Sequence, residues 1–263
     1  MLRAFDRATP ELTAAEIVRR LNLPRTVITR LLATLEQAGF VERMPGTLKY
    51  RIGLATCEIG ALHLIGNPLL KVADPFIDQL AENTGFTAYL GVIYGDEVVI
   101  LALREGRMPV RFTWSAGERL PVATTALGKS MLMHMDPAEI DRILGTDELA
   151  GLTESSLRTR RALDEQLESH RSIGWIPAIE ESFPGVCAVG AAILDPKGAP
   201  VAGISLSFLG NASAAEAIDE KGKAVVEAAR AISHRLATFD LYRQTRVYQA
   251  AIPRNTLLKV GET

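Results

Sequence analysis

Residues 24–38 constrain the fold of this chain more than any other stretch, because their apolar side chains recur with the spacing of one amphipathic helix. Pro24 suits the first helical position, where a missing N–H is tolerated, and Gly39 suits the position after the helix end. The side predicted to pack carries Ile28, Leu31, Leu32 and Leu35, and the opposite side carries Thr26, Thr29, Arg30, Ala33 and Gln37. One side of this helix is therefore expected to join a core, while its polar side remains available to a partner.

A second helix is predicted just before this one. Thr13 and Glu16 have the spacing of a capping box, and an apolar stripe follows them. A short link at residues 22–23 leads directly into the next helix, and residues 1–9 are predicted to be the tail of an earlier one. Two helices joined in this way form a helix-turn-helix, whose second member enters the major groove of DNA.

A β-hairpin is predicted next, with strands at residues 40–43 and 48–52. Lys49 and Arg51 alternate with apolar residues, so one side of the hairpin can pack while the basic side faces phosphate. The alternative is a helix pair that only packs, and it would not require a basic hairpin. We therefore predict a winged helix-turn-helix that binds double-stranded DNA. The predicted DNA contacts are Arg25, Thr26, Thr29, Arg30, Arg43, Lys49 and Arg51.

Three segments of this region, residues 12–17, 23–43 and 50–53, resemble the IclR (isocitrate lyase regulator) family of bacterial transcriptional regulators. The resemblance implies a homodimer or a dimer of dimers that binds operator DNA under the control of a small-molecule effector, such as an organic acid. It favours a repressor over an activator, and it implies neither an enzyme nor a cofactor. It also implies a linker helix followed by a GAF/PAS-like α/β effector-binding domain with an antiparallel sheet.

The expected organisation is α+β with four parts. These are a winged helix-turn-helix domain at 1–53, a linker helix at 54–66, an effector-binding GAF-like domain at 67–250 and a C-terminal tail at 251–263. The sheet of the second domain is predicted to have five or six strands, of which the pattern indicates 86–94, 97–104, 110–114, 187–194 and 201–209. Helices are predicted at 69–83, 123–135, 137–144, 163–171 and 214–242.

The formal net charge of −2 is unevenly distributed along the chain. Residues 1–65 carry nine Arg or Lys against six Asp or Glu, which suits a protein that touches DNA at one end only. Cys57 and Cys187 lie far apart, and the chain has neither a signal peptide nor a run long enough to span a membrane. We expect a cytoplasmic protein without a membrane partner, and the sequence leaves open whether the native start lies upstream of Met1.

Several apparent catalytic motifs fail on inspection. Residues 128–130 end like a phosphate-binding loop but lack its first glycine, and residues 203–207 lack the last glycine of a nucleophile elbow. Glu180 and Glu181 are adjacent, so their carboxylates point apart and a solvated or capping role is expected. The four histidines lack metal-ligand spacing. An enzyme and a purely architectural DNA-binding protein remain the alternatives to a ligand-responsive regulator.

The effector site is predicted from three segments. A helix start at Thr125, Ala126, Leu127 and Gly128 resembles the family segment that faces the effector, although tight packing on a sheet would also demand small residues there. The resemblance further places Ala188 on the pocket floor, with Cys187 on the opposite face. Ser205 and Ser207 share one face of a strand, where either a ligand or a neighbouring backbone would satisfy their hydroxyls. Trp114 and Trp175 are expected in the core or at the rim.

Overall fold

The computed structural model describes residues 1–108, 114–145, 147–210, 215–239 and 241. The chain divides into two compact units, and the boundary between them falls at Asn67 and Pro68. Within the described residues no helix is both long enough and apolar enough to cross a bilayer.

The first unit is a winged helix-turn-helix, as predicted. Its elements are a 3₁₀ turn at Leu2–Ala4, β1 (Glu11–Thr13), α1 (Ala14–Leu21), α2 (Arg25–Gln37), β2 (Val41–Arg43), β3 (Lys49–Ile52) and α3 (Leu54–Gly66). The strands form an antiparallel sheet in the order β1-β3-β2. The predicted capping box is present, because the Thr13 hydroxyl accepts from the Glu16 N–H while Glu16 accepts from the Thr13 N–H. Ile17 of α1 and Ile28 of α2 are fully buried in the shared core.

Two local predictions for this unit are wrong, and one short strand was missed. Residues 1–9 contain only the 3₁₀ turn, because the Asp6 carboxylate accepts from the Thr9 N–H and hydroxyl and so stabilises a local turn that competes with a helix. Strand β1 has only three residues and was not predicted. Leu31 lies on α2 with 38% of its surface exposed, so the packing side of α2 is narrower than its periodicity indicated.

The second unit surrounds a six-stranded antiparallel sheet, which confirms the α+β class. Its elements are α4 (Pro68–Thr84), β4 (Thr87–Tyr94), β5 (Glu97–Arg104), β6 (Arg119–Pro121), a 3₁₀ turn at Val122–Thr124, α5 (Ala126–Leu132), α6 (Pro137–Leu144), α7 (Arg160–Arg171), β7 (Ile176–Ile179), β8 (Val186–Leu194), β9 (Pro200–Leu209) and α8 (Ala215–Thr238). The strand order is β6-β5-β4-β9-β8-β7. Apolar clusters cover both faces, one shared with α4 and α8 and the other with α5, α6 and α7.

Some boundaries in the second unit differ from those predicted. The predicted helix at 123–135 is a 3₁₀ turn followed by the shorter α5, because the Thr125 hydroxyl accepts from the Gly128 N–H and caps a new helix start. Strands β6 and β7 were not predicted, since each has only three or four residues. Positions 110–113 of the strand predicted at 110–114 lie outside the described residues, as does the tail predicted at 251–263.

Helix α5 lies directly on the middle of the sheet. A Cβ atom added at Gly190 would lie 2.5 Å from the Ala126 carbonyl oxygen, and one added at Gly203 would lie 2.9 Å from the Leu127 carbonyl oxygen. Real Cβ atoms do not approach oxygen so closely, and glycine is therefore required on β8 and β9 beneath the helix. This contact brings the first residues of α5 against the sheet beside Ser205, which pairs with Gly190 across the two strands.

Candidate functional site

The polar side of α2 is exposed. Arg25, Thr26, Thr29 and Arg30 are all accessible to solvent, whereas Ile28 and Leu32 on the other side are buried. The Thr29 hydroxyl donates to the Arg25 carbonyl oxygen at 2.9 Å, so this side chain is held against its own helix. The four residues predicted to read DNA thus share one solvent-facing surface.

The basic side of the wing is balanced by carboxylates that the sequence interpretation left out. Arg51 donates through Nε and Nη2 to Oε2 of Glu42 at 3.0 and 2.9 Å, and Lys49 Nζ lies 3.5 Å from Oε2 of Glu11. Glu11 belongs to the unpredicted β1, which pairs it with Arg51 across the sheet. Arg43 is exposed and makes no ion pair with any described residue. Phosphate would therefore have to compete for Lys49 and Arg51, but not for Arg43.

Glu42 also joins the wing to the start of α3. Its Oε1 accepts from the Leu54 N–H at 3.3 Å, while its other oxygen binds Arg51. The hydrogen bond from Arg51, followed by that from Leu54, lowers the pKa of Glu42. Helix α3 beyond this point exposes apolar side chains, with Leu62 70% and Ile65 66% accessible.

A small pocket lies on the sheet face that carries α5. Its volume is about 40 Å³, and it is partly open to solvent. It is lined by Tyr89, Ile100, Trp114, Leu120, Thr125, Ala126, Leu127, Ala178, Ser182, Val186, Ala188, Ser205 and Ser207. None of these lining residues is a lysine, arginine or carboxylate, so polarity in the pocket comes from hydroxyl groups and backbone.

Six of the seven residues predicted for the effector site lie in this lining, and Gly128 does not. A Cβ added at Gly128 would lie 2.1 Å from the Val122 carbonyl oxygen, so this glycine serves the tight entry into α5. Trp114, which was expected in the core or at the rim, lines the pocket, and its backbone N–H donates to the Tyr89 hydroxyl at 3.1 Å. Burial raises the pKa of Tyr89 to about 12, and its phenol therefore stays protonated.

The strands orient their side chains as predicted. Ser205 and Ser207 face the pocket, and Ile204, Leu206 and Phe208 pack into the core on the opposite face. Neither serine hydroxyl has a hydrogen-bond partner among the described residues. Cys187 faces away from the pocket, where its thiol donates to the Gly210 carbonyl oxygen at 3.2 Å and burial raises its pKa.

Thr87 extends the row of small polar positions across the sheet. It pairs with Ser207, which in turn pairs with Ala188, so these three residues occupy neighbouring positions on the same face. The Thr87 hydroxyl is buried and has no partner among the described residues. No sequence pattern distinguished this threonine from an ordinary strand residue.

The expectation of a solvated or capping role holds for Glu180 and is wrong for Glu181. Glu180 accepts from the Gly185 N–H at 2.8 Å and so caps a local turn. Glu181 is buried and lies 2.6 Å from Nζ of Lys129, which is fully buried and also donates to Gln166 at 2.8 Å. Burial raises the pKa of Glu181 and lowers that of Lys129, and in each case the charge of the partner opposes the shift.

The rejected motifs have structural roles. Lys129, which completes the apparent phosphate-binding sequence, points into the protein toward Glu181. The segment at 203–207 lies inside β9 and forms no strand-to-helix turn. Across the described ranges, no three histidine, cysteine or acidic side chains come together as metal ligands.

Two family profiles match this chain. The profile "IclR helix-turn-helix domain" matches residues 1–45, and "Bacterial transcriptional regulator IclR C-terminal" matches residues 62–234. The chain is 31% identical over 245 residues to the HTH-type transcriptional regulator BhcR of Paracoccus denitrificans, covering 90% of this chain and 88% of that protein. It is 28% identical over 236 residues to the HTH-type transcriptional repressor AllR of Escherichia coli, covering 90% and 87%.

Solved structures share the fold. An IclR homologue from Microbacterium hydrocarbonoxydans, complexed with 4-hydroxybenzoate, superposes with a TM-score of 0.72 at 23% identity, covering 90% of this chain and 96% of that one. The C-terminal profile alone spans more than half of the sequence. Together with the winged helix-turn-helix and the antiparallel sheet of the second unit, these matches show that this chain belongs to the IclR family of bacterial transcriptional regulators.

Proposed function

We propose that the protein binds operator DNA and that a small carboxylate, bound in the pocket of the second unit, controls this binding. The observation that carries the proposal is the pair of unpartnered hydroxyls of Ser205 and Ser207 in a pocket whose lining has no charged side chain. Neither hydroxyl is sealed from solvent, and a ligand that accepts from both would replace the water that otherwise hydrates them.

The polar side of α2 supports the DNA-binding part of the proposal. Its exposed residues Arg25, Thr26, Thr29 and Arg30 would lie in the major groove. On the wing, Arg43 would be the first phosphate contact because no described carboxylate holds it. Lys49 and Arg51 would bind phosphate only by exchanging partners with Glu11 and Glu42.

Size and polarity support the choice of a small carboxylate. The N–H groups of Ala126 and Leu127 begin α5, and together with two serine hydroxyls they offer donors to one anionic group. The volume of about 40 Å³ favours a ligand of a few non-hydrogen atoms. Because the Microbacterium homologue was solved with 4-hydroxybenzoate, aromatic acids are the main alternative class of effector to test.

The exposed apolar residues of α3 support assembly into a homodimer or a dimer of dimers. Leu54, Ile59, Leu62 and Ile65 are each more than half exposed in the single chain. Apolar side chains repeated along a helix favour burial against a second copy. Sedimentation velocity of the purified protein measures the assembly directly, and a monomer would contradict this part of the proposal.

We further propose that the protein is a repressor and acts in the cytoplasm. The similarity to the repressor AllR supports repression over activation. In a reporter strain, deleting the gene should raise expression from an operator that the protein binds. A fall in expression on deletion would instead indicate an activator.

A melting screen against two- to four-carbon carboxylates, with aromatic acids, sugar acids and alcohols as comparison classes, tests the effector assignment. At a concentration about a hundred times its Kd, a ligand contributes roughly 2.7 kcal/mol of stability. A shift with the small carboxylates that also changes operator affinity supports the proposal. Chemical conversion of the bound carboxylate would indicate an enzyme, and operator binding that responds to no compound would indicate an architectural protein.

A further inference from the structure

The connection between β7 and β8, residues 180–185, is held to its surroundings by several polar contacts. We call this connection the strap. The Ser182 hydroxyl donates to the Thr124 carbonyl oxygen at 2.6 Å, and Glu181 forms the buried ion pair with Lys129. Ser182 of the strap lines the pocket, and so does Val186, the first residue after the strap. Its position therefore decides how one side of the pocket is closed.

A second set of contacts holds the strap from its other side. The Thr153 hydroxyl donates to the carbonyl oxygen of Glu180, and the Ser156 hydroxyl donates to that of Glu181, both at 2.7 Å. The strap is thus bonded both to α5 with its preceding turn and to the loop before α7.

The strap is held in a conformation that is locally unfavourable. Glu180 has a φ of +56°, in the left-handed region that residues with a side chain rarely adopt. One carboxylate oxygen of Glu181 is buried and has no hydrogen-bond partner among the described residues. Two apolar side chains would often be at least as stable as a buried ion pair, so general stability does not account for Lys129 and Glu181.

We infer that Lys129 and Glu181 are positioning residues for the effector site. Their ion pair holds the strap against α5, so that Ser182 and Val186 close the pocket around the ligand. Lys129 and Glu181 do not line the pocket themselves. The inference rests on the proposed function of the pocket, but its effect on the strap is independent of any ligand.

The test compares Lys129→Met, Glu181→Leu and the double variant Lys129→Met/Glu181→Leu. Each single change leaves one buried charge unpaired and lowers stability, while the double variant removes both charges and recovers most of the lost stability. If the pair positions the strap, the double variant still does not recover the ligand affinity. If the ion pair serves stability alone, the double variant should recover its ligand affinity together with its stability.

Hydrogen exchange of the ligand-free protein gives the readout on the strap. In the double variant, the amides of Gly185 and Val186 should exchange about tenfold faster than in the wild type, while amides of β9 stay unchanged. Unchanged exchange in the strap would overturn the inference. Lys223→Met is the matched control, because Lys223 forms an exposed ion pair with Asp219 at 2.6 Å in the same unit.

Affinity is then measured by calorimetry with the two- to four-carbon carboxylate that shifts the wild-type melting temperature. We expect a Kd about tenfold higher in the double variant, and an unchanged Kd would overturn the inference. If no carboxylate binds the wild type, the proposed function fails, and the exchange measurement still decides whether the ion pair holds the strap.

Discussion

The two units use ion pairs in opposite ways. On the wing, Arg51–Glu42 and Lys49–Glu11 are about half exposed, and water and salt weaken them. In the second unit, Lys129–Glu181 is almost completely buried, and neither partner can find a substitute in water. Exposed pairs leave a surface free to exchange partners with phosphate, whereas a buried pair fixes one geometry. The same side-chain chemistry therefore suits DNA contact in one unit and a defined pocket in the other.

The largest expected effect comes from breaking the buried pair. Lys129→Met should lower the free energy of unfolding by about 3–5 kcal/mol, because the Glu181 carboxylate remains buried without its ammonium partner. Urea denaturation measures the loss. The control Lys223→Met should leave the urea midpoint nearly unchanged, and equal losses in the two variants would erase the contrast between buried and exposed pairs.

The loss in Lys129→Met should also depend on pH. Burial already raises the pKa of Glu181, and removing the ammonium raises it further, so the folded variant binds a proton that the unfolded chain has released. The loss of stability is fully present at pH values above the pKa of Glu181 in the folded variant. It becomes smaller as the pH falls below that pKa toward the ordinary pKa of a glutamate. Urea midpoints across this range should converge on the wild type at low pH. A loss that stays constant with pH would contradict the assignment to an unpaired carboxylate.

The next effect concerns the pocket hydroxyls. Ser205→Ala combined with Ser207→Ala should abolish the ligand-induced melting shift, a loss of roughly 2.7 kcal/mol at a hundred times the wild-type Kd. The stability of the ligand-free protein should not fall, because neither hydroxyl forms a hydrogen bond with another described residue. Ser169→Ala, on the exposed side of α7, is the control. A full shift in the double alanine variant would remove the serines from the site.

Two threonines, one in each unit, should respond with opposite signs to the same substitution. Thr87→Val removes a buried hydroxyl without a described partner and should raise the free energy of unfolding by about 1 kcal/mol. Thr13→Val removes the cap of α1 and should lower it by about 1 kcal/mol. Thermal denaturation of both variants measures the difference. A destabilised Thr87→Val would mean that its hydroxyl is satisfied by bound water.

The smallest effect separates the basic residues of the wing. Arg43→Ala should reduce the salt dependence of operator binding by about one unit of slope, because its charge is available to phosphate. Arg51→Ala should reduce the slope by less, since Glu42 already balances Arg51. Fluorescence anisotropy across a salt series measures both slopes. Equal reductions would show that Arg51 leaves Glu42 when DNA binds.

Sequence patterns predicted the features that depend on local periodicity. The helix-turn-helix, the hairpin and the facing of Ser205 and Ser207 all follow from spacings of 3.6 or two residues. The Lys129–Glu181 pair escaped prediction because its partners are 52 positions apart and nothing local marks either as buried. Strand β1 was missed because three residues are too few to show an alternating pattern. The ion pair between Glu11 of this strand and Lys49 was therefore missed as well.

The glycines beneath α5 restrict how this pocket can diversify. Any side chain at Gly190 or Gly203 would push the helix off the sheet, so these positions are closed to adaptive substitution. Ala178, Ala188 and the two serines surround the cavity without carrying that contact, and they can change size or polarity independently. At the proposed effector site, a mutational library that fixes the glycines and varies these four positions should therefore give altered ligand preference while most of its members still fold.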